Sequence, residues 1–409
     1  MIIAACVNSR LVKILCVATK SPWPPRDGGR LVLWLTLQGL ASAGHEIFLV
    51  APADTSGEHG EDAAAAMRAI GITPYLVSVR RRSWFGTLVG AIRHSRALSV
   101  MRHHRSEVES AVAECIARHH PHAVHAEQLQ ALANCLSAQA AGIPIVLRMQ
   151  NVESAIWRQV AFARRGGILL AIEANRLRVE ERFAMASAGQ TITLTPDDAR
   201  DLREIARPQD RDRTHTIAPA FPKVWPTTSA VEGEPAFVLS GSAGWWPNAQ
   251  GTRWFLRKVW PRFHAAHPHA KAIIFGGDVR TFGAGVVWRA APVESVDAFP
   301  AGAIVIVPLH VGSGIRMRIL EAWARGLAVI ATSIAARGLE VLSGRELLIA
   351  DTPTEFFDAL VRLTSDAELR ASLIAGGRAY LASRHASANA TDALLAVYAR
   401  AQRAGALIQ

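Results

Sequence analysis

The sequence is poor in cysteine: its 409 residues include four, Cys6, Cys16, Cys115 and Cys135. They lie far apart, form no CxxC pair and have no clustered histidines beside them. Structural zinc sites and disulfide frameworks need closely spaced or paired cysteines, so neither is indicated. Low cysteine content is typical of a reducing compartment, and we expect a cytoplasmic location.

Long hydrophobic runs are also missing. No stretch reaches eighteen uncharged apolar residues, and the amino-terminal segment is interrupted by Asn8, Ser9, Arg10 and Lys13. A membrane-spanning helix needs about twenty apolar residues, and a secretory signal needs an unbroken apolar segment. The sequence predicts neither, so any membrane contact is expected to be peripheral, on the inner face of the plasma membrane.

Acidic residues are fewer than basic ones: 34 Asp and Glu stand against 45 Lys and Arg, a net charge of +11. This excess favours anionic partners, among them nucleotide diphosphates, acidic lipid surfaces and nucleic acid. The basic residues are dispersed and no nucleic-acid-binding motif is present, so a nucleic-acid partner is not expected. With 50% apolar residues over this length, the chain predicts two globular domains.

Apolar runs of strand length alternate with helical patterns along the chain. The predicted strands cover residues 11–17, 46–52, 72–79, 122–125, 143–148, 190–194, 236–240, 270–276, 303–307, 328–332 and 347–349. This alternation predicts an α/β fold with doubly wound parallel sheets. We expect a Rossmann-like domain over residues 1–215, a proline-rich linker over 216–235, a second such domain over 236–385, and a terminal helix over 386–409 that packs back on the first domain.

The most informative segment is 305–340, VIVPLHVGSGIRMRILEAWARGLAVIATSIAARGLE. A strand pattern ends at Pro308, the glycine-rich turn 312–314 follows, and the next helical pattern carries Arg316, Arg318 and Glu321. Such a turn at a helix start offers free backbone N–H groups and a positive dipole end to a diphosphate. Taken alone, the turn also fits a plain tight connection, and the charged residues fit a solvated helix face.

Further motifs follow other predicted strands. Residues 22–30, PWPPRDGGR, place two glycines where backbone can approach a phosphate closely. The others are HAEQLQ (125–130), LRMQNVESAIW (147–157), FVLSGSAGWWPNAQG (237–251) and FGGD (275–278). Glu127 in the first of these motifs also fits a surface position, and Asn151 and Glu153 in the second also fit a helix cap and its first-turn acid. In the third, Trp245 or Trp246 fits either base stacking or interdomain packing.

Together these segments resemble the family 4 glycosyltransferases, in particular a bacterial subgroup with the pattern PxxxGSGTRLKILEAMAxGxPVVxT. The resemblance runs from about residue 12 to about residue 398. It implies the GT-B architecture, in which two Rossmann-like domains face each other across a cleft. It also implies transfer of a sugar from a nucleoside diphosphate sugar to a hydroxyl of a lipid-linked or polysaccharide glycan, with retention and without a metal or other cofactor.

The resemblance assigns roles to individual residues. Catalytic roles fall to Arg316, Arg318 and Glu321, the last by binding the ribose hydroxyls. The implied donor-binding residues are Gly28, Gly29, Gly241, Asn248, Gly276, Gly312, Ser313, Gly314 and Glu321. The implied acceptor-side residues are Arg30, Glu127, Gln150, Asn151 and Glu153.

Three positions depart from the wider family: Gln150 replaces a histidine, Ser313 replaces a sugar-binding glutamate, and Asn248 replaces a lysine. A neutral glutamine binds hydroxyl groups but does not shuttle protons near neutral pH. These departures keep an inactive scaffold open as an alternative. Two further alternatives are a nucleotide-sugar epimerase of the same architecture and, ranked below it, a basic nucleic-acid-binding protein.

The stretch 80–105, RRRSWFGTLVGAIRHSRALSVMRHHR, combines arginines with Trp84, Phe85 and Leu88. It fits a solvated helix beside a loop. It also fits an interfacial surface that rests on anionic lipid and receives a lipid-linked acceptor.

Overall fold

The computed structural model describes residues 11–53, 60–80, 83–163, 167–222, 224–230, 235–241, 245–276, 283–292 and 294–406. Within these ranges the chain forms two parallel β-sheets, one following the other in sequence. Helices flank both sheets, as the alternating pattern predicts. The α/β class and the two doubly wound domains are therefore confirmed.

The first sheet has seven strands: β1 (Lys13–Val17), β2 (Glu46–Pro52), β3 (Ile72–Val77), β4 (Ala123–Glu127), β5 (Ile145–Met149), β6 (Gln190–Thr193) and β7 (Thr214–Thr216). Their order across the sheet is β3-β2-β1-β4-β5-β6-β7. On the central strand, Leu15 pairs with Phe48 on one side and with Val124 on the other. Both faces of a parallel sheet are covered, which is why these strands are nearly continuous apolar runs.

The second sheet repeats this plan with six strands: β8 (Phe237–Ser240), β9 (Ala272–Phe275), β10 (Val286–Arg289), β11 (Ile304–Val307), β12 (Ala328–Ala331) and β13 (Leu348–Ile349). Their order is β10-β9-β8-β11-β12-β13. In each sheet the strand order reverses beside the first strand of that sheet. Doubly wound sheets bind ligands in the crevice at this reversal, beyond the carboxyl ends of the strands.

The helices of the first domain are α1 (Gly28–Ser42), α2 (Gly60–Ala69), α3 (Trp84–Arg93), α4 (Leu98–His103), α5 (Ser106–His119), α6 (Leu129–Leu132), α7 (Ser137–Ala140), α8 (Glu153–Ala163), α9 (Ile168–Ser187) and α10 (Pro196–Ile205). Those of the second half are α11 (Trp246–Lys258), α12 (Trp260–Ala266), α13 (Met317–Ala324), α14 (Ser333–Ala336), α15 (Pro353–Ser365), α16 (Ala367–Arg384) and α17 (Ser387–Ala406).

Local sequence explains where α1 begins, and α1 later forms one wall of the cleft. The carboxylate of Asp27 accepts a hydrogen bond from the backbone N–H of Arg30 at 2.9 Å, a side-chain cap of the first turn. The buried face of α1 includes Leu31, Val32 and Leu37. The proline-rich loop before Asp27 cannot continue a strand or helix, so the chain turns into the cleft here.

The sequence pattern missed two edge strands. β7 reads Thr-His-Thr and has no apolar run, and β10 alternates half-buried with exposed residues. Edge strands bury one side only, so they carry less of the apolar signal from which strands are predicted.

Two helix predictions also needed correction. The helix expected over 250–264 begins earlier, at Trp246, and is divided at Val259 because Pro261 in the next helix has no backbone N–H. The breaks predicted at Gly376 and Gly377 are absent from the described helix α16, which runs through both. A Cβ at Gly376 would overlap the carbonyl group of Arg345, and one at Gly377 would overlap the Trp323 indole, so these glycines permit close packing.

The chain crosses between the two halves twice, and the crossings lie side by side. His385, between α16 and α17, accepts a hydrogen bond from the backbone N–H of Phe221 through its carbonyl oxygen at 2.8 Å. Its Nδ1 lies 2.8 Å from the carbonyl oxygen of Pro219. Beyond the second crossing α17 packs on the first domain, where the hydroxyl of Tyr398 lies 2.7 Å from Nδ1 of His125. The boundaries at residues 215, 235 and 385 stay a prediction.

No helix in the described ranges is long and apolar enough to cross a bilayer.

Candidate active site

A cleft of about 600 Å³ lies between the two domains, at the strand-order reversals of both sheets. Its first-domain wall comes from the β1–α1 loop and the ends of β4 and β5, and its second-domain wall from β8, β9 and α13. Ten of the predicted site residues line it: Gly28, Gly29, Gln150, Asn151, Gly241, Asn248, Gly276, Arg316, Arg318 and Glu321. The other six do not: Arg30, Glu127, Glu153, Gly312, Ser313 and Gly314.

Glycines let the walls approach each other. A Cβ at Gly28 would lie 3.2 Å from the side chain of Met317, across the cleft in α13. A Cβ at Gly241 would lie 2.7 Å from Nδ2 of Asn248 and 2.8 Å from Nη1 of Arg318. Gly276, with φ of +73°, packs against the carbonyl oxygen of Gly241. The structure therefore brings the predicted donor-binding residues Gly241, Asn248 and Gly276 together with Arg318, one of the predicted catalytic residues.

Arg316 and Arg318 give the cleft its positive charge. Within the described part of the chain neither forms an ion pair with a carboxylate, and Nε and Nη2 of Arg316 are buried without a hydrogen-bond partner. Burial lowers the pKa of both guanidinium groups to about 10, so both remain charged at neutral pH. Two half-buried cations, with unused donors on Arg316, match the charge and the hydrogen-bonding needs of a diphosphate.

Glu321 lies at the buried edge of the same cleft. Its Oε1 accepts hydrogen bonds from the Ser295 hydroxyl and, at 2.9 Å, from Nη2 of Arg325. Arg325 is itself held between the rings of Trp225 and Phe299, at 4.9 and 5.1 Å from their centroids. No hydrogen bond from the described residues reaches Oε2, which leaves that oxygen to accept from a ligand hydroxyl.

The expectation of free N–H groups in the glycine-rich turn is wrong for two of its residues. The backbone N–H of Gly312 donates to Oε1 of Gln159 at 3.0 Å, and that of Gly314 donates to Oδ1 of Asp198 at 3.1 Å. The Ser313 hydroxyl also donates to Asp198, at 2.6 Å, and it accepts from the N–H of Val152. The turn is therefore an interdomain fastening in this structure, and it positions Arg316, while a role of Gly312, Ser313 and Gly314 toward the donor stays a prediction.

The same turn explains the orientation of Arg316. A Cβ at Gly312 would overlap the guanidinium, so only glycine leaves room for Arg316 to fold back over it. The guanidinium carbon then lies 5.6 Å from the centroid of the Trp245 ring. Asn151 completes the fastening: with its amide nitrogen turned toward them, it donates to the carbonyl oxygens of Gln150 at 3.1 Å and Ser313 at 2.9 Å.

Glu127 was expected either to face the cleft or to lie on the surface, and both expectations are wrong. It is buried behind the cleft wall, in a two-oxygen ion pair with Arg148 on the neighbouring strand. Burial alone would raise the pKa of Glu127, but Arg148 and His125 outweigh it and lower the pKa to about 2. The carboxylate supports the site from below, since it accepts a hydrogen bond from Nε2 of Gln150 at 2.6 Å.

Gln150, the residue in place of histidine, is held on three sides. Besides Glu127, its amide nitrogen donates to the carbonyl oxygen of Gly29 at 3.1 Å, and its Oε1 accepts from Gln128 at 3.0 Å. Gln128 lines the cleft, and its φ of +74° is strained for a residue with a side chain. Gln128 was not predicted from the sequence, because a non-glycine residue in this conformation gives no sequence signal.

The remaining acceptor-side residues lie beside the cleft. Arg30, in the first turn of α1, has its Nε 3.8 Å from Oδ2 of Asp27. Glu153 is the first residue of α8, as the helix-cap interpretation predicts, and burial raises its pKa while a hydrogen bond with Gln130 opposes the shift. Neither contacts the cleft directly, so their proposed roles toward an acceptor rest on the resemblance.

A buried acid lies under the start of α8. Glu181 on α9 accepts hydrogen bonds from the backbone N–H of Ser154 at 3.1 Å and from its hydroxyl at 2.5 Å. Burial raises the pKa of Glu181 to about 7, and the nearby Glu153 adds to the shift. The folded protein therefore holds a proton here that the unfolded chain releases near its ordinary pKa.

This arrangement predicts a pH dependence of stability. The contribution of Glu181 is complete below about pH 4.5 and is lost as the pH rises through 7, because the folded-state pKa lies above the ordinary one. We expect Glu181→Gln to raise the unfolding free energy by about 1–3 kcal/mol at pH 8 and to change it little at pH 5. Thermal unfolding of both proteins across this range measures it. The exposed Glu204→Gln is the control, and an equal effect of both substitutions would contradict the prediction.

The two tryptophans after the second-domain loop differ in surroundings. Trp245 lines the cleft, and both Trp245 and Trp246 pack against Ile156, Val160 and Val311. This is interdomain packing, one of the two expected roles. In the FGGD motif, Phe275 and Gly276 border the cleft, while Gly277 and Asp278 lie outside the described residues.

Known proteins resemble this chain over both domains. A glycosyl transferase 4-like domain model matches residues 27–220, and a glycosyl transferases group 1 model matches residues 234–366. A Klebsiella pneumoniae protein described as an uncharacterized 44.6 kDa protein in the cps region is 20% identical, over 87% of this chain and 92% of its own.

Solved structures share the fold. HepE from Anabaena, solved in complex with UDP-glucose, has a TM-score of 0.65 and 13% identity, over 95% of this chain and 99% of its own. Sucrose-phosphate synthase from Thermosynechococcus elongatus has a TM-score of 0.70 and 13% identity, over 96% of this chain and 100% of its own. These likenesses confirm the GT-B architecture. Because the two domain models cover both walls of the cleft, the chain belongs to the glycosyltransferases and is an enzyme of that class.

Proposed function

We propose that this enzyme transfers a sugar from a nucleoside diphosphate sugar to a hydroxyl group of a glycan acceptor, with retention at the anomeric carbon. The observation that carries the proposal is the pair of half-buried arginines in the cleft, Arg316 and Arg318, neither of which forms an ion pair with a carboxylate in the described part of the chain. Burial lowers the pKa of both arginines although Asp198 acts on Arg316 and Glu321 and Asp27 act on Arg318, so an anionic ligand would stabilise both cations further. HepE, which shares the fold, was crystallised with UDP-glucose and with UDP.

The proposed mechanism is electrostatic. When the bond between the anomeric carbon and the diphosphate oxygen breaks, negative charge grows on the diphosphate. Arg316 and Arg318, already in place, stabilise that charge more than they stabilise the intact donor. The leaving phosphate oxygen accepts the proton of the acceptor hydroxyl as the new glycosidic bond forms on the same face. This step uses no protein acid or base, in keeping with Gln150 in place of histidine.

Glu321 would hold the nucleoside through Oε2, the oxygen that faces no other described donor. On the acceptor side, Gln128 and Gln150 present amide groups at the cleft wall, each fixed by the network below it. Fixed amides bind sugar hydroxyls with little loss of side-chain freedom. The cps-region relative supports a polysaccharide or lipid-linked glycan as acceptor.

The independence of metal and cofactor stays a prediction, and activity after treatment with EDTA would test it. The cytoplasmic location also stays a prediction. A nucleotide-sugar epimerase would use the same donor pocket, so product analysis must show a sugar joined to a new acceptor rather than an inverted sugar nucleotide.

A donor screen tests the proposal. Thermal shift and hydrolysis would be measured with UDP-, GDP-, ADP- and dTDP-sugars, for the wild type and for Glu321→Gln. We expect one nucleotide class to stabilise the wild type and this effect to weaken by roughly tenfold or more in affinity in the variant. Glutamine is preferred to alanine because alanine would leave Arg325 buried beside an empty space.

The exposed Glu340→Gln serves as the matched control and should bind donor as the wild type does. If no sugar nucleotide shifts the unfolding temperature, the transfer proposal fails and an inactive scaffold becomes the better description. If Glu321→Gln binds with unchanged affinity, the assigned role of Glu321 is wrong although the proposal survives.

A further inference from the structure

The helices α8 and α9 pack against each other as a helical hairpin, which contacts the second domain beside the cleft. Ile156 and Val160 of α8 and Leu170 of α9 pack with Val311 and the two tryptophans of the second domain. One of these, Trp245, also lines the cleft. The hairpin is thus continuous with the cleft wall through a single apolar cluster.

Past this cluster, the hairpin exposes large apolar side chains. Phe162 is 88% exposed, Ile168 75% and Leu169 77%. Farther along α9 the exposed apolar residues are Ile172, Val179 and Phe183. Several exposed apolar residues along one side of the hairpin indicate an interaction surface, whereas single scattered ones would not.

Charge on the hairpin is separated by sign. Residues 153–187 contain four glutamates, and three of them, Glu173, Glu180 and Glu181, are buried. They point inward, where they accept hydrogen bonds from the backbone N–H groups of Leu98, Ala97 and Ser154. The fourth, Glu153, is half-buried at the base.

The outward charges are therefore positive. Arg158, Arg178 and Arg182 are exposed, and the guanidinium of Arg96 lies 6.0 Å from the ring of Phe183. Apolar side chains beside exposed arginines, with the acids turned inward, match the chemistry of an anionic bilayer surface. A second copy of the chain fits less well, because a twofold contact would bring the same positively charged surface of both copies together.

We propose that the α8–α9 hairpin rests on an anionic phospholipid surface and so holds the mouth of the cleft at the membrane. Its apolar residues enter the boundary between headgroups and acyl chains, and its arginines contact the headgroups. The link to a lipid-linked acceptor rests on the proposed function, whereas lipid binding itself does not. The hairpin is a separate surface from the stretch 80–105, in which helix α3 exposes Trp84 and Phe85.

Binding of the full-length protein to vesicles tests this proposal. Phosphatidylcholine vesicles with and without phosphatidylglycerol would be sedimented with the wild type at low and high salt, in the absence of any sugar nucleotide. We expect binding that requires the anionic lipid and weakens with salt. The double variant Phe162→Asp/Leu169→Asp should lose roughly tenfold or more of this affinity. The matched control, Val224→Asp/Leu342→Asp, changes exposed apolar residues elsewhere and should bind as the wild type does.

Three results would overturn the proposal. The first is a wild type that does not bind anionic vesicles. The second is unchanged binding by the hairpin variant while Trp84→Asp/Phe85→Asp loses binding, which would assign the membrane contact to α3 alone. The third is sedimentation of the wild type as a dimer and of the hairpin variant as a monomer, which would assign the surface to a second copy. Hydrolysis of the sugar nucleotide by the hairpin variant should stay near the wild-type rate, so failure here is separable from failure of the transferase proposal.

Discussion

Replacing Arg316 with methionine is expected to lower kcat for sugar transfer by about 100- to 1000-fold, the cost of losing one preorganised donor to developing negative charge. Nε and Nη2 of the guanidinium are buried in the cleft without a hydrogen-bond partner, so these donors are available to the departing diphosphate. Steady-state kinetics with saturating donor would measure the loss. Substrate binding should suffer less than turnover, because the charge on the diphosphate increases during the reaction.

The same substitution is expected to leave the empty protein as stable as the wild type or more stable. Burial lowers the pKa of Arg316 to about 10, which reports the cost of keeping this cation away from water without a partner. Methionine removes the charge and keeps much of the volume. A thermal unfolding temperature that rises while kcat falls would support a functional, rather than structural, arginine.

A second variant tests whether the orientation of the Arg316 guanidinium matters as well as the presence of this arginine. Gly312→Ala keeps the arginine but places a Cβ where its guanidinium lies, so kcat should again fall by roughly tenfold or more. The controls are Arg253→Met, an exposed arginine on α11, and Gly60→Ala, where a Cβ meets open space. Near-normal turnover by Arg316→Met would remove this residue from the mechanism.

Glu127→Gln is expected to destabilise the first domain by about 3–5 kcal/mol, because it leaves the buried cation of Arg148 without its counter-charge. Urea unfolding followed by circular dichroism would measure the change. Glu109→Gln, in an exposed contact with His104, is the control and should stay within about 0.5 kcal/mol of the wild type. The double variant Glu127→Met/Arg148→Met should recover most of the loss, since it removes both charges together.

The ion pair also sets the acid limit of stability. The folded pKa of Glu127 is about 2, below the ordinary value, so its contribution is complete above about pH 4.5 and is lost as the pH falls toward 2. The wild type should therefore lose stability over this range, and the double methionine variant should lose less. Parallel acid unfolding curves for the two proteins would contradict this account.

Much of the fold was predictable because its signals are local. Strands buried on both faces appear as short apolar runs, and nearly every one was found within a few residues of its observed position. The glycine-rich loops at Gly28 and Gly241 were found from their glycines, which in the structure leave room for Met317 and for Asn248 and Arg318. Edge strands such as β7 and β10 escaped because they bury one side only.

The site was harder to predict because its contacts are distant in sequence. Asp198 follows Thr195 and Pro196, a pattern that indicates a helix cap, and nothing local shows that it holds Ser313, 115 residues away. Glu127 follows a strand, as cleft residues do, but only the fold reveals Arg148 beside it. Sequence places a residue at the end of a strand, whereas partners on neighbouring elements decide whether its side chain faces the cleft or supports it.

The paired chain crossings have a mechanical consequence. Phe221 and Pro219 in one crossing are hydrogen-bonded to His385 in the other, so the two domains are joined by two adjacent strands of chain fixed to each other. Two neighbouring connections allow rotation of one domain relative to the other about a single hinge axis and resist rotation about other axes. A protease cut at one crossing would leave α17 packed on the first domain. The fragments would stay together through the other crossing and through the fastening at Asp198.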